Sequence, residues 1–286
     1  MIPKLSIVVP IKNMDGKLKN LSSWIDEALL LKCEVILVED ISNLMFTTEL
    51  DGLIAARTNG NLKRISGEFG NPGSARNAGK QIAGGEWIAF WDSDDVGFTE
   101  KALKMLSNIS PETDLIVCSS DTRQWSTGKL VAENHIDSLS SNILQVAGYP
   151  GIWRMIFKTK FIENLPFPPF RMAEDQVFLA QVIQKMPEIS FSDEIIYSYF
   201  LNVPGQLTSS TEAIADLGLA IVEMQKLRGN AATTLFVEEL LIRQHISAIR
   251  YSAGNVRSKY LYRLLTLVLG KHRIRNTQLL IKVLAK

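Results

Sequence analysis

The feature that most constrains this chain is an alternation, over its first 120 residues, of short β-branched runs with longer amphipathic segments. LSIVV (5–9) and EVILV (34–38) are unbroken apolar runs of strand length, the pattern of strands covered on both faces. Between them, Leu18, Leu21, Ile25, Ala28 and Leu29 recur at helical spacing. Pro72 and Ser74 announce a second helix that Gly84 and Gly85 stop, and EWIAFW (86–91) follows as a strand running directly into Asp-Ser-Asp-Asp. A helix over 99–109 and a strand over 114–120 continue the series. Such βα repetition predicts an α/β fold with a mostly parallel central sheet flanked by helices, Rossmann-like in plan.

Beyond residue 120 the pattern changes. A polar stretch to about 145 precedes GIWRMIF, a strand-like run, then a Pro-rich loop (NLPFPPFRMAED), a helix from Glu174 and a late strand, IIYSYF (195–200). From Thr211 the pattern is helical throughout: 212–228, 231–252, 255–269 and 275–285. The expected organisation is a domain over 1–210, with halves 1–120 and 121–210, followed by a helical region over 211–286.

Charge separates within the helical region, after Glu239. Basic residues number 31 and acidic ones 30, for a net +1. Ten of the basic residues follow Glu239 and no acidic one does, which leaves 21 basic against 30 acidic, or −9, in the body. Segregation of this kind points the tail toward an anionic partner. In the third helical segment Val256, Tyr260, Leu264 and Val268 form a stripe flanked by Arg257, Lys259 and Arg263, a pattern suited either to an anionic membrane interface or to packing on the body. A homodimer contact is a further use for it; nucleic acid is not an expected partner. No run reaches the 18 or so apolar residues of a membrane span, and both cysteines, Cys33 and Cys118, lie in apolar runs as buried free thiols. The expected location is cytoplasmic, or peripheral on the cytoplasmic membrane face.

Four clusters could carry chemistry. Asp92, Ser93, Asp94 and Asp95 sit at a strand's carboxyl end, where open α/β sheets bind ligands. Three carboxylates in four residues call for a cation or donors, so a divalent metal competes with a simple helix-capping turn. Asp40, after Glu39, ends another buried strand and would face the same crevice, unless it merely caps the next helix. In Gly70-Asn71-Pro72-Gly73-Ser74-Ala75-Arg76, small residues at a helix start would let a phosphate approach, with Arg76 adding a charged fork. Five residues, not four, separate Gly73 from Gly79 and Gln81 stands where Ser or Thr belongs, so this is not a P-loop. Glu174 and Asp175 enter a helix together, as a positioned general base or as favourable charges at its N-terminus. The scattered His135, His245 and His272 support neither a metal cluster nor a Ser-His-Asp triad.

Taken together these segments resemble family 2 glycosyltransferases of the GT-A fold. LSIVVPIKN is similar to the family's opening strand and nucleotide loop, EVILVEDIS to its second strand, and GNPGSARNAGKQIAGGEWIAFWDSDD to its central stretch. The segment ending in FRMAEDQVFLAQVI resembles the acceptor side with its Glu-Asp pair, and NVPGQLTSS the loop closing the site. The resemblance implies an inverting enzyme that moves one sugar from a nucleotide-diphosphate sugar, by family habit a UDP-sugar, to a saccharide hydroxyl. The first 120 residues would then be the nucleotide-sugar half and 121–210 the acceptor half. It also implies roles: Asp40 on the base, with Pro10, Lys12 and Asn13 lining the nucleotide; Asp92 on the ribose, beside Ser93; and Asp94, with Asp92 and Asp95, on Mn²⁺ or Mg²⁺. Arg76 would brace the acidic loop or the phosphates, Asp175 would be the base and Glu174 would orient it. Ile41 stands where the family usually has Gly, and no QxxRW follows the Glu-Asp pair, which argues against a processive synthase. The implied acceptor is a saccharide, lipid-linked in assembly of a surface polysaccharide. The rivals are a nucleotidyltransferase, which would release pyrophosphate, and a catalytically silent sugar-nucleotide-binding module.

Overall fold

The computed structural model describes residues 2–14, 16–57, 60–139, 142–205, 215–227 and 231–285. Two compact units emerge: Met1–Ser141 with Gly151–Pro169 and Pro187–Gln206, and Asn142–Pro150 with Phe170–Met186 and Leu207–Lys286.

The first unit holds a nine-stranded sheet. Its parallel part is β3 (Leu62–Gly67), β2 (Glu34–Asp40), β1 (Leu5–Ile11) and β4 (Trp87–Phe90), side by side in that order. β1 and β2 bury nearly every residue because α1 (Lys19–Leu30) packs on one face and α3 (Pro72–Ile82) on the other, and β4 is equally buried, with Phe90 against Phe157 and Phe167. Gly79 permits that second contact: a Cβ there would sit 2.4 Å from a Val8 methyl and 2.9 Å from one of Val38. Past β4 the sheet turns antiparallel through β8 (Met155–Lys158) to β6 (Leu115–Gln124), which pairs in parallel with β9 (Ile189–Leu201). β5 (Val96–Gly97) closes the far edge on β9, and β7 (Leu130–Asn134) pairs with β6. Two antiparallel steps make β6 parallel to β4, so β1, β2, β4 and β6 end at one edge. Here α2 (Leu44–Ala55) and β3 occupy a stretch with no sequence signal strong enough to assign an element. α4 (Thr99–Leu106) and the one-turn α6 (Thr159–Ile162) complete this unit.

The second unit is helical: α5 (Ile143–Gly148), α7 (Glu174–Gln184), α8 (Leu217–Lys226), α9 (Ala231–Tyr251), α10 (Gly254–Val268) and α11 (Arg273–Leu284). Ile242 and Ile246 of α9 pack against Leu264 and Val268 of α10, with Leu279, Leu280 and Val283 of α11 against the cluster. The stripe read from α10 is therefore mostly turned inward: Leu264 and Val268 are 4% and 3% exposed and only Val256 is open, at 55%. On α9 the buried Glu239 absorbs part of the tail's charge through Arg243 (3.2 Å) and Arg275 (3.1 Å), and the buried Glu238 is hydrogen-bonded to His272 at 2.9 Å. Among the described residues no helix is long and apolar enough to cross a membrane. Residues 206–214, which include most of the NVPGQLTSS loop, lie outside the described residues.

Candidate functional site

The carboxyl edge of the sheet gathers most of the sequence-selected residues of the first unit. β4 delivers Asp92, Ser93, Asp94 and Asp95 just beyond Phe90, and β2 ends on Asp40 two strands away. The three loop aspartates divide their work. Asp92 Oδ1 accepts from Arg76 Nη2 at 2.8 Å, its side chain keeping 29% exposure. Asp94 is half-buried and its backbone oxygen accepts from Asn20 Nδ2 at 2.9 Å. Asp95 turns inward at 1% exposure; Oδ1 accepts from the Phe200 N–H and Oδ2 from the Tyr197 hydroxyl, both at 2.7 Å. Burial, then the charges of Asp94 and Asp92, push the Asp95 carboxyl well above the ordinary range. Ser93 is buried at 7%.

Tyr197 carried no sequence signal, yet it organises this loop. Its hydroxyl donates to Asp95 and accepts from the Asp92 N–H at 3.0 Å, tying both ends of the acidic turn to β9. Trp153 stacks on its ring at 4.8 Å between centroids, and Trp91 packs beside it. Gly97 is fixed by the same packing: a Cβ would lie 2.2 Å from Trp91.

Asp40 is 6% exposed. Lys12 Nζ reaches its Oδ2 at 2.7 Å, and the N–H groups of Phe69 and Gly70 donate to Oδ1 at 2.8 and 3.1 Å. Burial opposes the charge, but the Lys12 and backbone hydrogen bonds together outweigh it and hold the carboxyl below its usual range. Pro10 is half-buried in β1, and Asn13, at φ 45°, accepts from the Asn43 N–H at 2.9 Å, so the loops after β1 and β2 form one rim. Glu39 points away and is held by Arg64, Ser66 and Thr47.

The start of α3 differs from the expectation of an open phosphate cradle. Asn71 caps it, accepting from the Ser74 N–H at 2.8 Å. The space beside Gly73 is filled by the chain itself, since a Cβ there would lie 2.2 Å from the Pro168 carbonyl oxygen. The glycine is needed for close packing of the Pro-rich loop, a role local composition does not distinguish from phosphate binding. Asn77 grips the same loop in both directions at Phe167 (2.8 and 2.9 Å), and Arg76 lies 5.7 Å over the Phe167 ring. Arg76 thus reaches the acidic loop from a helix locked onto the Pro-rich segment.

In the second unit Glu174 and Asp175 open α7. Asp175 is half-buried, its Oδ1 accepting from the Gln176 N–H at 2.8 Å, and Glu174 is 6% exposed. The residue before them, Ala173, is held at φ 62°, a left-handed conformation that a non-glycine residue adopts at a cost and that is found disproportionately at functional sites.

Two further polar atoms escaped the sequence reading. Asp121 on β6 and Ser198 on β9 are register partners on one face, and Ser198 is in turn the partner of Val96, next to Asp95. Two strand spacings put Asp121 about 10 Å from Val96. Arg123 clamps Asp121 Oδ2 at 2.7 Å, while Asp121 Oδ1 and Ser198 Oγ, in residues 4% and 1% exposed, have no hydrogen-bond partner among the described residues. Buried polar atoms are almost always bonded, so this pair invites an internal water.

The donor set also decides what kind of metal site fits. Among the described residues no three acidic, His or Cys groups converge on a point where an ion could sit. Asp95, counted with the ligands from sequence, has both oxygens engaged by Tyr197 and Phe200. Asp94, assisted by Asp92, fits an ion that arrives with a diphosphate, the way Mg²⁺ is commonly held by one or two carboxylates plus substrate phosphates. It does not fit an ion caged by protein alone.

Comparison with known proteins agrees with the architecture. The chain is 25% identical over 239 residues to the putative glycosyltransferase EpsH of Bacillus subtilis, spanning 77% of this chain and 67% of EpsH. It is 27% identical over 215 residues to the poly(ribitol-phosphate) beta-glucosyltransferase of Bacillus spizizenii, spanning 71% of this chain but only a third (33%) of that protein. The crystal structure of Staphylococcus aureus TarS 1–349 in complex with UDP-GlcNAc superposes with a TM-score of 0.65 at 20% identity, covering 93% of this chain and 81% of that one. The α/β fold is thus the GT-A fold of glycosyltransferases. Residues 6–174, well over half of the chain, match the model of glycosyl transferase family 2, and the chain belongs to that family.

Proposed function

We propose that this protein is an inverting, non-processive glycosyltransferase that moves one sugar from a UDP-sugar to a saccharide hydroxyl, the acceptor being lipid-linked during assembly of a surface polysaccharide. The observation that carries the reading is the placement of Asp40, Asp92 and Asp94 along one carboxyl edge of a family 2 fold, with Arg76 bridging to Asp92. The UDP-GlcNAc complex of TarS supports the donor class, and the poly(ribitol-phosphate) glucosyltransferase supports a polymer as acceptor. In this reading residues 1–210 are the catalytic part and 211–286 a helical appendage.

Asp40, pre-charged and held by Lys12, accepts from the base, with Pro10 and Asn13 on the rim. Asp92 and Ser93 meet the ribose, and Arg76 keeps Asp92 oriented. A Mn²⁺ or Mg²⁺ ion on Asp94 and Asp92 would offset the charge that develops on the departing nucleoside diphosphate. Asp95 keeps the loop in place rather than ligating. Asp175 takes the proton of the attacking acceptor hydroxyl while Glu174 orients it. Attack opposite to the leaving group inverts the anomeric carbon.

The test is thermal shift with nucleoside diphosphates, with and without Mn²⁺, together with product analysis. Binding of only the folded state raises the melting point, and UDP with Mn²⁺ is expected to do so most. Release of a nucleoside diphosphate from the sugar donor supports the reading. Pyrophosphate release from a triphosphate would establish a nucleotidyltransferase, and no donor turnover with any acceptor would leave a silent binding module.

A further inference from the structure

We propose that the outer face of the α10–α11 hairpin docks on an anionic phospholipid surface. The inner face of α11 is fully accounted for within its unit: Leu279, Leu280 and Val283 meet the α9–α10 cluster, and Asn276 is buried, donating to Glu238 at 3.1 Å and to the Leu267 carbonyl at 3.3 Å. Directly opposite, at spacing i, i+7 and i+10, stand Ile274, Ile281 and Leu284, exposed by 71, 63 and 61%. Arg273 and Lys282 flank this stripe on either side, both exposed and without a carboxylate partner among the described residues. α10 repeats the design, with Leu261, Tyr262, Leu265 and Leu269 open to 47, 69, 45 and 68% on one face and Lys259 exposed beside it.

Charge complementarity chooses the occupant. The two buried acids of α9 are already engaged, Glu239 by Arg243 and Arg275 and Glu238 by a hydrogen bond to His272, and nothing acidic follows them in sequence. The unmatched charge therefore has a single sign. A soluble polyanion would satisfy the lysines and arginines but leave seven large apolar side chains in water, whereas a lipid headgroup layer takes both. A second copy of the same face would set like charges against one another. None of these residues is placed in the proposed donor site, so vesicle binding is read without turnover and stands or falls apart from the proposed reaction.

The experiment is co-sedimentation of the full chain with vesicles of phosphatidylglycerol and phosphatidylcholine in equal parts and with phosphatidylcholine alone, at low and high salt. Selective binding to the anionic vesicles, weakened by salt, is expected. The double variant Arg273→Gln, Lys282→Gln should bind about twenty-fivefold more weakly, at about fivefold per basic residue. Ile281→Asp should also lose binding while melting and releasing nucleoside diphosphate like the parent, since both variants alter exposed residues. Equal binding to both vesicle types, or to neither, overturns the proposal. So does binding to soluble poly(ribitol phosphate) that Ile281→Asp leaves intact while vesicles are ignored, or a dimer that the same variant dissolves in the absence of lipid binding.

Discussion

Replacing Tyr197 by Phe removes one oxygen from the interior and should disturb the acidic loop more than any surface change. The aromatic packing on Trp153 and Trp91 is kept, so the loss is confined to two hydrogen bonds. One is the hydroxyl's donation to Asp95 Oδ2 at 2.7 Å; the other is its acceptance from the Asp92 N–H at 3.0 Å. A bond to a carboxylate contributes about 1.5–3 kcal/mol, and a buried N–H left without an acceptor costs about 1–3 kcal/mol. The two share one atom and do not simply add, so a destabilisation of about 2–4 kcal/mol is expected. In a chain of this size each kcal/mol moves the melting point by about 2–4 °C, which places the fall near 5–15 °C. Because the hydroxyl holds the turn that carries Asp92 and Asp94, sugar transfer well below the melting point should also fall, by about tenfold or more, as misplaced catalytic groups do. Differential scanning fluorimetry and nucleoside diphosphate release measure the two effects, with Tyr262→Phe, 69% exposed, as the control that should change neither. A Tyr197→Phe protein that melts within a degree of the parent and transfers sugar at the parent rate would refute this account of the loop.

Asp94→Asn should abolish the Mn²⁺-dependent part of the nucleoside diphosphate thermal shift while the ligand-free melting point stays put; full activity in excess chelator would remove the metal from the scheme. Asp175→Asn should slow transfer by about 10²- to 10⁴-fold with nucleotide affinity nearly unchanged, and a larger loss in Glu174→Gln would exchange the two roles. Cys33 and Cys118 are buried, and burial pushes the Cys33 thiol up to about 12 and raises that of Cys118 as well; neither should react with a disulfide reagent at mild alkaline pH until the chain unfolds, and fast reaction of either in the native protein contradicts the packing. Burial works against the charge of Glu34, but hydrogen bonds from Lys63, Ser6 and the Gly84 N–H outweigh it and depress its folded pKa. Its stabilisation is therefore complete above the ordinary carboxylate range and is lost as pH falls through the depressed value; Glu34→Gln should flatten the acid limb of a urea-midpoint profile below about pH 4.5, and an unchanged limb would count against it.

The parallel half of the sheet was legible because β1, β2 and β4 are buried on both faces and must therefore be apolar throughout, a pattern few other structures require. β3 was not: it sits at the sheet edge with every residue partly exposed, so Lys63, Arg64 and Ser66 interrupt its hydrophobicity. α2 was lost for a related reason, burying only Phe46 and Leu50 and leaving Leu44 and Met45 at 81% and 68% exposure, which blurs the helical period. At the candidate site the same distinction applies. Asp40 and the Asp92–Asp95 turn announce themselves because a carboxylate directly after a buried strand has few other reasons to be there. What holds this region together comes from residues distant in sequence, Tyr197 for the Asp95 carboxyl and the Asp92 N–H and the Pro168 carbonyl against Gly73, and no local pattern encodes such a pairing. Gly73 shows the consequence most sharply. A glycine at a helix start means that something comes close to the backbone, and composition supplies the closeness but not the visitor. Here the visitor is the chain's own Pro-rich segment. The same contact then gives Arg76 its fixed position, because the helix that carries it cannot slide without driving the Gly73 backbone into Pro168. The rigidity of the Arg76–Asp92 bridge is thus set by a residue that touches neither partner, and Gly73→Ala should weaken transfer through that displacement even though it changes no charge at the site.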